Sequence, residues 1–399
     1  MIKLNLLEEN YFLENNIFYH SNERLNGLFF IKNGFHKIFK GHLVNGQFSG
    51  KGTLFKNNKI YYKGNFEKGC FHGKGTLFFE NKKIKYTGHF FMNLFHGQGS
   101  LYERSGILSY SGNFEKNKEN GFGTSYYING NIEYQGKWKN KYFHGYGKYY
   151  YNNGNLWYDG DFSNNLWNGK GIVFLENGEK LYEGNLYKME FSGLGILYYN
   201  NSIHYIGDFF NDMPNGYGFF FSKINDKVII TYKGSIQNGM KQGYGIDFFH
   251  NGNISYKGNF HNDTFSGYGE KFFITGNPYY KGIFKKGKPN GFGILYTENK
   301  GFLKYIGNFE NGSFHGYGSF YDNGVFIWRG MWYKGKSELL YSFHKNFILR
   351  EATIFNIPHI EQLFQEKNIK EISFLFFEKK ELIPNGKYIE IQNILLKLF

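Results

Sequence analysis

Histidines that recur at one position of a repeated motif are the first side chains in this sequence that could do chemistry. They are His72, His96, His144 and His315, and imidazole is a common zinc ligand. A zinc site, however, needs about four ligands that converge on one point. Each of these histidines belongs to a different copy of the motif, and other copies carry Asn, Ser or Gln in its place. The pattern therefore favours a role in a turn over a metal site.

Glycine pairs such as Gly73-x-Gly75 are the second candidate, because glycine-rich loops can cradle phosphate groups. Phosphate-binding loops continue as Gly-x-Gly-x-x-Gly or end in Gly-Lys-Ser/Thr, and these pairs do neither. The sequence also shows no nucleophile elbow, no kinase motif set and no paired-carboxylate signature. We therefore expect no catalytic residues, no cofactor and no metal, and we predict that the chain is not an enzyme.

Both candidates lie in a motif of fixed spacing. One copy reads Tyr134-x-Gly136-x-Trp138 and then Phe143-His144-Gly145-Tyr146-Gly147. We number each copy from its first aromatic residue, which is position 1, so that the last glycine is position 14. Twelve full copies share this spacing and follow one another about every 24 residues. Their first residues are Phe39, Tyr62, Tyr86, Tyr110, Tyr134, Tyr158, Tyr182, Tyr205, Tyr232, Tyr256, Tyr280 and Tyr305.

The period divides the chain into three parts, because repeats of this length predict a stacked array rather than a single globular core. Residues 39–335 are the array, with a partial thirteenth copy from Trp328. Residues 1–38 are interpreted as a degenerate N-terminal cap. Residues 336–399 are a non-repeat C-terminal cap or docking segment, with a short helix predicted from Pro358 and a strand over Ile372–Phe376.

Composition supports an aromatic, glycine-rich array in a reducing compartment. The chain has 54 glycines, 35 tyrosines, 47 phenylalanines and 5 prolines, and Cys70 is its one cysteine. The formal net charge of +14 fits a solvated surface, or else attraction to an acidic partner or membrane. No apolar run reaches the ~18 residues of a membrane helix, and no signal peptide is evident. We expect a cytoplasmic protein, associated peripherally with cytoskeleton or membrane.

Turn signals indicate how each copy folds. Asn-Gly pairs such as Asn129-Gly130 separate copies and favour a type I′ hairpin turn, so each copy reads strand, loop, strand, tight turn. If the internal loop centres near position 9, position 1 lies opposite 17, position 3 opposite 15, and position 5 opposite 13. The glycine at position 3 would then let aromatic rings lie flat on the backbone. The other face, with positions 2, 4, 12, 14 and 16, would meet water.

The motif Tyr-x-Gly-x-Phe/Trp followed by His/Asn-Gly-x-Gly resembles the MORN repeat (membrane occupation and recognition nexus) over roughly three quarters of the chain. The resemblance implies an all-β repeat array, an elongated single-layer antiparallel β-meander of MORN hairpins, here with a small α+β C-terminal tail. It also implies a scaffold at cytoskeletal or membrane-contact structures. The repeat groove of some members holds a partner's helical segment, and lipid headgroup binding has been proposed for others.

The favoured hypothesis is that a helical or extended protein segment, from a partner or from a second copy in a homodimer, lies along the aromatic face. The residues at position 13 would lie at the border of this contact and supply its aromatic anchors. These are Tyr146, Tyr217, Tyr244, Tyr268, Phe292 and Tyr317. Contact with an acidic partner or an acidic phospholipid surface would use Lys51, Lys74 and Lys170. The alternatives are a peripheral phospholipid-binding module and the regulatory arm of an enzyme complex.

Nucleic acid is not an expected partner. Lysines at position 2 of several copies could form a basic stripe beside aromatic rings. Asp159 and Glu183 occupy the same position in two central copies and interrupt the stripe.

Overall fold

The computed structural model describes residues 2–5, 11–14 and 17–337. These residues form 31 strands and contain no helix that could span a membrane. The strands are β1 Ile2–Asn5, β2 Tyr11–Glu14, β3 Ile17–His20, β4 Glu23–Arg24, β5 Gly27–Asn33, β6 His36–Val44, β7 Gln47–Lys56, β8 Lys59–Glu67, β9 Cys70–Phe78, β10 Ile84–Phe91, β11 Leu94–Tyr102, β12 Leu108–Glu115, β13 Lys118–Tyr126, β14 Ile132–Lys139, β15 Tyr142–Tyr150, β16 Leu156–Ser163, β17 Leu166–Phe174, β18 Lys180–Tyr187, β19 Glu190–Tyr199, β20 Ser202–Phe210, β21 Met213–Ile224, β22 Lys227–Gln237, β23 Met240–Phe248, β24 Ile254–His261, β25 Thr264–Phe272, β26 Pro278–Lys285, β27 Lys288–Tyr296, β28 Leu303–Glu310, β29 Ser313–Asp322, β30 Val325–Tyr333 and β31 Lys336–Ser337.

The chain divides into two compact units, Met1–Glu190 and Phe191–Phe399. In the first unit, each strand from β5 to β18 pairs antiparallel with the next one in the chain. In the second unit, β19 to β31 pair in the same way. The predicted all-β antiparallel meander is thereby confirmed. The helix and strand expected after Pro358 lie outside the described residues.

The segment before the array adds strands to the first unit. β5 pairs antiparallel with β6, and β1 runs parallel to β5. β2, β3 and β4 form a separate three-stranded sheet. Phe18, on β3, lies 5.5 Å from the ring of Phe48, and its amide donates to the Gly46 carbonyl at 2.9 Å. The interpretation of residues 1–38 as a cap stays a prediction.

The tight two-residue turn lies within each copy, at positions 7 and 8. Lys139 pairs with Tyr142, and Asn140 and Lys141 between them have φ of 52° and 76°. Positive φ at both central residues is the requirement of a type I′ turn, and all twelve copies meet it at these positions. The predicted loop centre near position 9 was therefore wrong.

Most Asn-Gly pairs between copies form a different turn from the one predicted. At Asn129-Gly130 only the glycine has positive φ, and the Tyr127 amide donates to the Asn131 carbonyl at 2.9 Å. This is the geometry of a three-residue hairpin loop, in which a turn is followed by a left-handed glycine. The type I′ turn appears between copies at Asn323-Gly324, where both φ values are positive.

Asparagines at position 8 of the turn connect three of the copies to the copy before. The amide of Phe143 donates to Oδ1 of Asn165, at position 8 of the next copy, at 2.7 Å. In return the Asn165 amide donates to the Phe143 carbonyl at 3.1 Å. The pairs Phe71–Asn93 and Phe95–Asn117 repeat the side-chain contact at the same 2.7 Å. Asparagine thus accepts positive φ and satisfies a neighbouring backbone donor at once.

The register within a hairpin differs from the predicted one. Tyr134 pairs with Tyr149, so position 1 lies opposite 16, and positions 3 and 5 lie opposite 14 and 10. The register shifts between Gly136 and Trp138, where Gly145 on the partner strand has a φ of 62°. This bulge and the earlier turn together displace the pairing. The face that carries the position-1 tyrosines, here the tyrosine face, therefore holds positions 1, 3, 5, 10, 14 and 16, so placing 14 and 16 on the opposite face was wrong.

The core is a stack of rings on the tyrosine face. The Tyr134 ring stacks on Phe143 at 3.9 Å between centroids and meets the edges of Trp138 and Phe162 at 5.3 and 5.1 Å. Its hydroxyl donates to the Lys137 carbonyl at 2.8 Å, and its exposed fraction is 0%. Burial raises the pKa of the Tyr134 phenol, which therefore stays a neutral donor.

The glycine at position 3 provides a floor for each ring, as predicted, and the glycine at position 14 joins it, which was not predicted. A Cβ on Gly136 would lie 2.5 Å from Oη of Tyr134, and one on Gly147 would lie 2.3 Å from the same atom. The rings at positions 1 and 5 are buried by the chain's own side chains in the described copies. These side chains therefore need no further segment to bury them, and the hypothesis of a partner along this face stays a prediction.

Candidate functional site

Two rows of side chains run across the strands on the surface opposite the tyrosine face, which we call the groove face. The central row joins positions 2 and 15, as in the consecutive Cα pairs Lys40↔Thr53 and Thr53↔Lys63. The side row joins positions 13 and 4, as in Lys51↔Asn65 and Lys74↔His89. Because neighbouring strands are roughly 4.8 Å apart, each row presents one side chain at every such step.

Position 13 lies on the groove face and not beside the buried rings. This corrects the placement of all six predicted aromatic anchors and of Lys51, Lys74 and Lys170. The cause is the hairpin register, because an odd-numbered shift in pairing exchanges the two faces of a strand. Position 17, predicted to lie opposite position 1, is on the groove face for the same reason.

A cavity of about 1150 Å³ occupies the groove face at the start of the first unit. Its basic lining is Lys40, Lys51, Lys63 and Lys74, which we call the lysine groove. All four lysines are exposed, and none has a carboxylate within ion-pair distance in the described part of the chain. The lining residues include no Asp or Glu.

Hydroxyl groups continue the central row beyond the lysines. Thr76 and Thr87 approach each other at 3.1 Å between their Oγ1 atoms, and Ser100 and Ser111 at 3.3 Å between their Oγ atoms. These short side chains leave the middle of the cavity open. The region therefore combines unpaired positive charge with neutral hydrogen-bonding groups.

The predicted site residues Lys170 and Tyr146 have acidic neighbours instead. The Lys170 amide donates to Oδ2 of Asp161 at 3.3 Å, and Lys170 does not line the lysine groove. The Tyr146 hydroxyl donates to Asp159, which raises the pKa of Tyr146 to about 12. Asp159 also forms a 3.5 Å ion pair with Lys148.

Phe122 is an exposed position-13 aromatic that the sequence reasoning missed. Its exposed fraction is 68%, and it lines a second cavity of about 440 Å³ together with Tyr146. The sequence could have identified Phe122, because it stands at position 13 like the six predicted anchors.

The side row of the second unit alternates aromatic residues with smaller or polar ones. We call its aromatic position-13 residues the aromatic row, and they alternate with Asp208, Ser235, Asn259, Ile283 and Asn308. The aromatic row is Tyr217, Tyr244, Tyr268, Phe292 and Tyr317. Tyr244, Phe292 and Tyr317 are 40%, 43% and 59% exposed. The structure thus brings five of the six predicted anchors into one line.

The central row of the second unit begins with apolar side chains, and its lysines further along form ion pairs with a glutamate. Ile206 is completely buried among Ile196, Phe219 and Phe221, so the chain's own side chains fill the groove face there. Further along, Glu270 lies 3.2 Å from Lys257 and 3.5 Å from Lys281. These two lysines therefore differ from those of the lysine groove, which have no such partner among the described residues.

The histidines lie where the second strand of a hairpin begins. Nε2 of His72 lies 3.2 Å from Glu67, and His72 and His96 approach the ring of Phe91 at 5.4 and 5.8 Å. The contacts link positions 6 and 11. Residues 2–5, 11–14 and 17–337 contain no group of three or more His, Cys, Asp or Glu residues that could hold a metal ion.

Comparison with known protein families agrees with this geometry. A family model of the MORN repeat matches eleven segments, at residues 39–59, 62–83, 86–106, 110–132, 134–156, 158–180, 205–226, 232–253, 256–277, 280–301 and 305–326. The copy at Tyr182 and the partial copy at Trp328 fall outside these matches. A comparison with curated proteins found no match. MORN repeats are associated with scaffolds for membrane and protein interaction. Because the matched repeats span more than half of the 399 residues, the chain belongs to the MORN-repeat family.

Proposed function

We propose that this protein is a non-enzymatic scaffold whose groove face binds a segment of another protein. Its place would be a cytoskeletal or membrane-associated structure in the cytoplasm. The observation that carries the proposal is the aromatic row, in which Tyr244, Phe292 and Tyr317 are exposed and the other two tyrosines are half-buried. The side chains at positions 1 and 5 of the opposite face are already buried by the chain itself. Exposed tyrosines arranged in a line are typical of protein interfaces, where aromatic anchors contribute much of the binding energy.

The spacing of the aromatic row fits a linear partner. Successive anchors are two strands apart, or roughly 10 Å. Seven residues of a helix rise about 10.5 Å, and one three-residue turn of an extended polyproline II segment rises about 9.3 Å. Either segment could place a side chain between successive anchors along the row.

Removing two adjacent anchors should release the partner of the second unit. Tyr244→Ser with Tyr268→Ser is expected to lower partner recovery about 10-fold or more, because truncating an interface aromatic typically costs ~1–2 kcal/mol or more. Affinity capture from the native cell followed by quantitative mass spectrometry measures the loss. The matched control is Tyr142→Ser, which makes the same change at a 50% exposed tyrosine outside both rows. If all variants were folded and captured equal amounts of partner, the aromatic row would be excluded as the docking site.

The lysine groove supports a second candidate, contact with an acidic partner or an acidic phospholipid surface. Lys51→Glu with Lys74→Glu should lose a different set of partners from the tyrosine double variant. If both double variants lost the same set of partners, one ligand would require both the aromatic row and the lysine groove. Capture of a second copy of the chain, or of an enzyme, would instead favour a homodimer or a regulatory arm.

A further inference from the structure

The four lysines of the lysine groove occupy four consecutive strands in a zigzag. Lys40 and Lys63 lie in the central row on β6 and β8, and Lys51 and Lys74 lie in the side row on β7 and β9. We propose that this groove binds an acidic α-helix that lies across the strands, with carboxylates at positions i, i+3, i+7 and i+10. This inference rests on the second candidate function above and specifies its partner, but it does not depend on the aromatic row.

The spacing selects a helix. Steps of roughly 4.8 Å place the lysines at about 0, 5, 10 and 14 Å along the groove. Helix positions i, i+3, i+7 and i+10 rise to about 0, 4.5, 10.5 and 15 Å, so each carboxylate meets one lysine. At ~100° per residue, i and i+7 lie on one side of the contact while i+3 and i+10 lie on the other, which reproduces the two rows. An extended strand presents side chains on one face about every 6.7 Å and does not match.

The charge of the lining selects an acidic ligand. No Asp or Glu lines the cavity, whereas Lys148 and Lys257 on the same face are paired with Asp159 and Glu270. An incoming carboxylate therefore replaces no existing ion pair at Lys51 or Lys74. The hydroxyls of Thr53 and Thr76, which flank Lys63 in the central row, can donate hydrogen bonds to the same carboxylates.

The shape of the site favours a helix over a bilayer. The lysines surround a concave cavity whose floor is the glycine backbone and the hydroxyl row. A planar headgroup layer would reach the rim and leave this floor empty. Surfaces that insert into bilayers combine basic residues with exposed Trp, Phe or Leu, and Leu28 is the one large apolar residue of the lining.

A pair of synthetic helical peptides of identical composition tests the proposal on the full chain. The first carries its four glutamates at i, i+3, i+7 and i+10, and the second distributes the same glutamates around the helix. We expect the first to bind about 10-fold more tightly by fluorescence anisotropy, with an affinity that falls as salt rises from about 50 to 200 mM. Lys51→Gln with Lys74→Gln should weaken this binding about 10-fold, because each exposed ion pair contributes up to ~1 kcal/mol.

Two controls separate this site from others. Lys257→Gln with Lys281→Gln removes the same charge from lysines that Glu270 already pairs, and it should leave peptide affinity unchanged. Tyr244→Ser with Tyr268→Ser should also leave the peptide affinity unchanged. The proposals for the aromatic row and for the lysine groove can therefore be refuted independently. Equal binding of the two peptides would overturn the proposal. It would also be overturned if the variant Lys51→Gln with Lys74→Gln were folded and kept full affinity for the first peptide. The same holds if phosphatidylserine vesicles or single-stranded DNA displaced the first peptide and their own binding required Lys51 and Lys74.

Discussion

Gly136→Val should destabilise the copy that begins at Tyr134 by about 3–5 kcal/mol, because overpacking and displacement of a buried aromatic ring act together. A Cβ at this position would lie 2.5 Å from Oη of Tyr134 and 2.6 Å from Cα of Gly147, its cross-strand partner. The backbone cannot yield without separating β14 from β15. The ring must therefore leave its position between Trp138 and Phe143. Thermal unfolding, together with hydrogen exchange in these two strands, measures the loss.

Lys137→Ser is the matched control, since Lys137 is the next residue and is exposed on the groove face. Its backbone carbonyl, which accepts the Tyr134 hydroxyl, is kept by the substitution. We expect a change of at most about 0.5 kcal/mol, as at most surface positions. Similar melting temperatures for the two variants would contradict the packing of the ring on glycine.

The repeat and its strands could be predicted from the sequence because the motif fixes the type of residue at every step. Tyr134 with Gly136 predicts a ring over bare backbone, and the structure confirms it and adds Gly147 to the floor of the ring. The position of the two-residue turn within each copy could not be predicted in this way. Lys188 and Met189 form one of the type I′ turns with φ of 50° and 73°, although neither residue type signals such a turn. The bulge beside Gly145 then shifts the pairing, and a shift of this kind exchanges the faces.

The candidate sites depend on that register, so the sequence predicted their members but not their grouping. Tyr244 and Phe292 were predicted as aromatic anchors, and the structure shows that they are exposed and lie in one line on the groove face. Lys51 and Lys170 share a repeat position, yet Lys51 lines the lysine groove and Lys170 lies beside Asp161. Ion pairs across strands decide which lysines remain available, and they follow from pairing rather than from spacing along the chain.

Four copies carry no aromatic residue at position 10, and the charge in one of them can be tested. In the copy at Tyr232, Lys241 occupies this position, where most copies have a phenylalanine. Its Nζ lies 5.0 Å from the centre of the Tyr232 ring and 2.5 Å from Oδ1 of Asp247. Burial raises the pKa of the Asp247 carboxyl, and the hydrogen bond and charge of Lys241 oppose that rise. Removal of the lysine should therefore raise this pKa further.

Lys241→Met should lower the free energy of unfolding by about 2 kcal/mol at pH 7, less than for a fully buried pair because both side chains keep some exposure. The sign of the pH dependence follows from linkage. A carboxyl whose pKa is higher in the folded state than in the unfolded state binds its proton more tightly when folded. The resulting stability is present at acid pH and is lost as the pH rises through the folded-state pKa. The deficit of Lys241→Met relative to the wild type should therefore shrink as the pH falls from 7 towards about 4.

Lys241→Met with Asp247→Leu supplies the control, because it removes the buried carboxyl together with its partner. Replacing a buried ion pair by apolar side chains of similar size is often neutral or stabilising. We expect this double variant to recover most of the lost stability at pH 7 and to lack the additional pH dependence of the single variant. Chemical denaturation at several pH values measures both effects. If the deficit of Lys241→Met stayed constant between pH 7 and pH 4, or if the double variant were no more stable than the single one at pH 7, the unpaired Asp247 carboxylate would not be its cause.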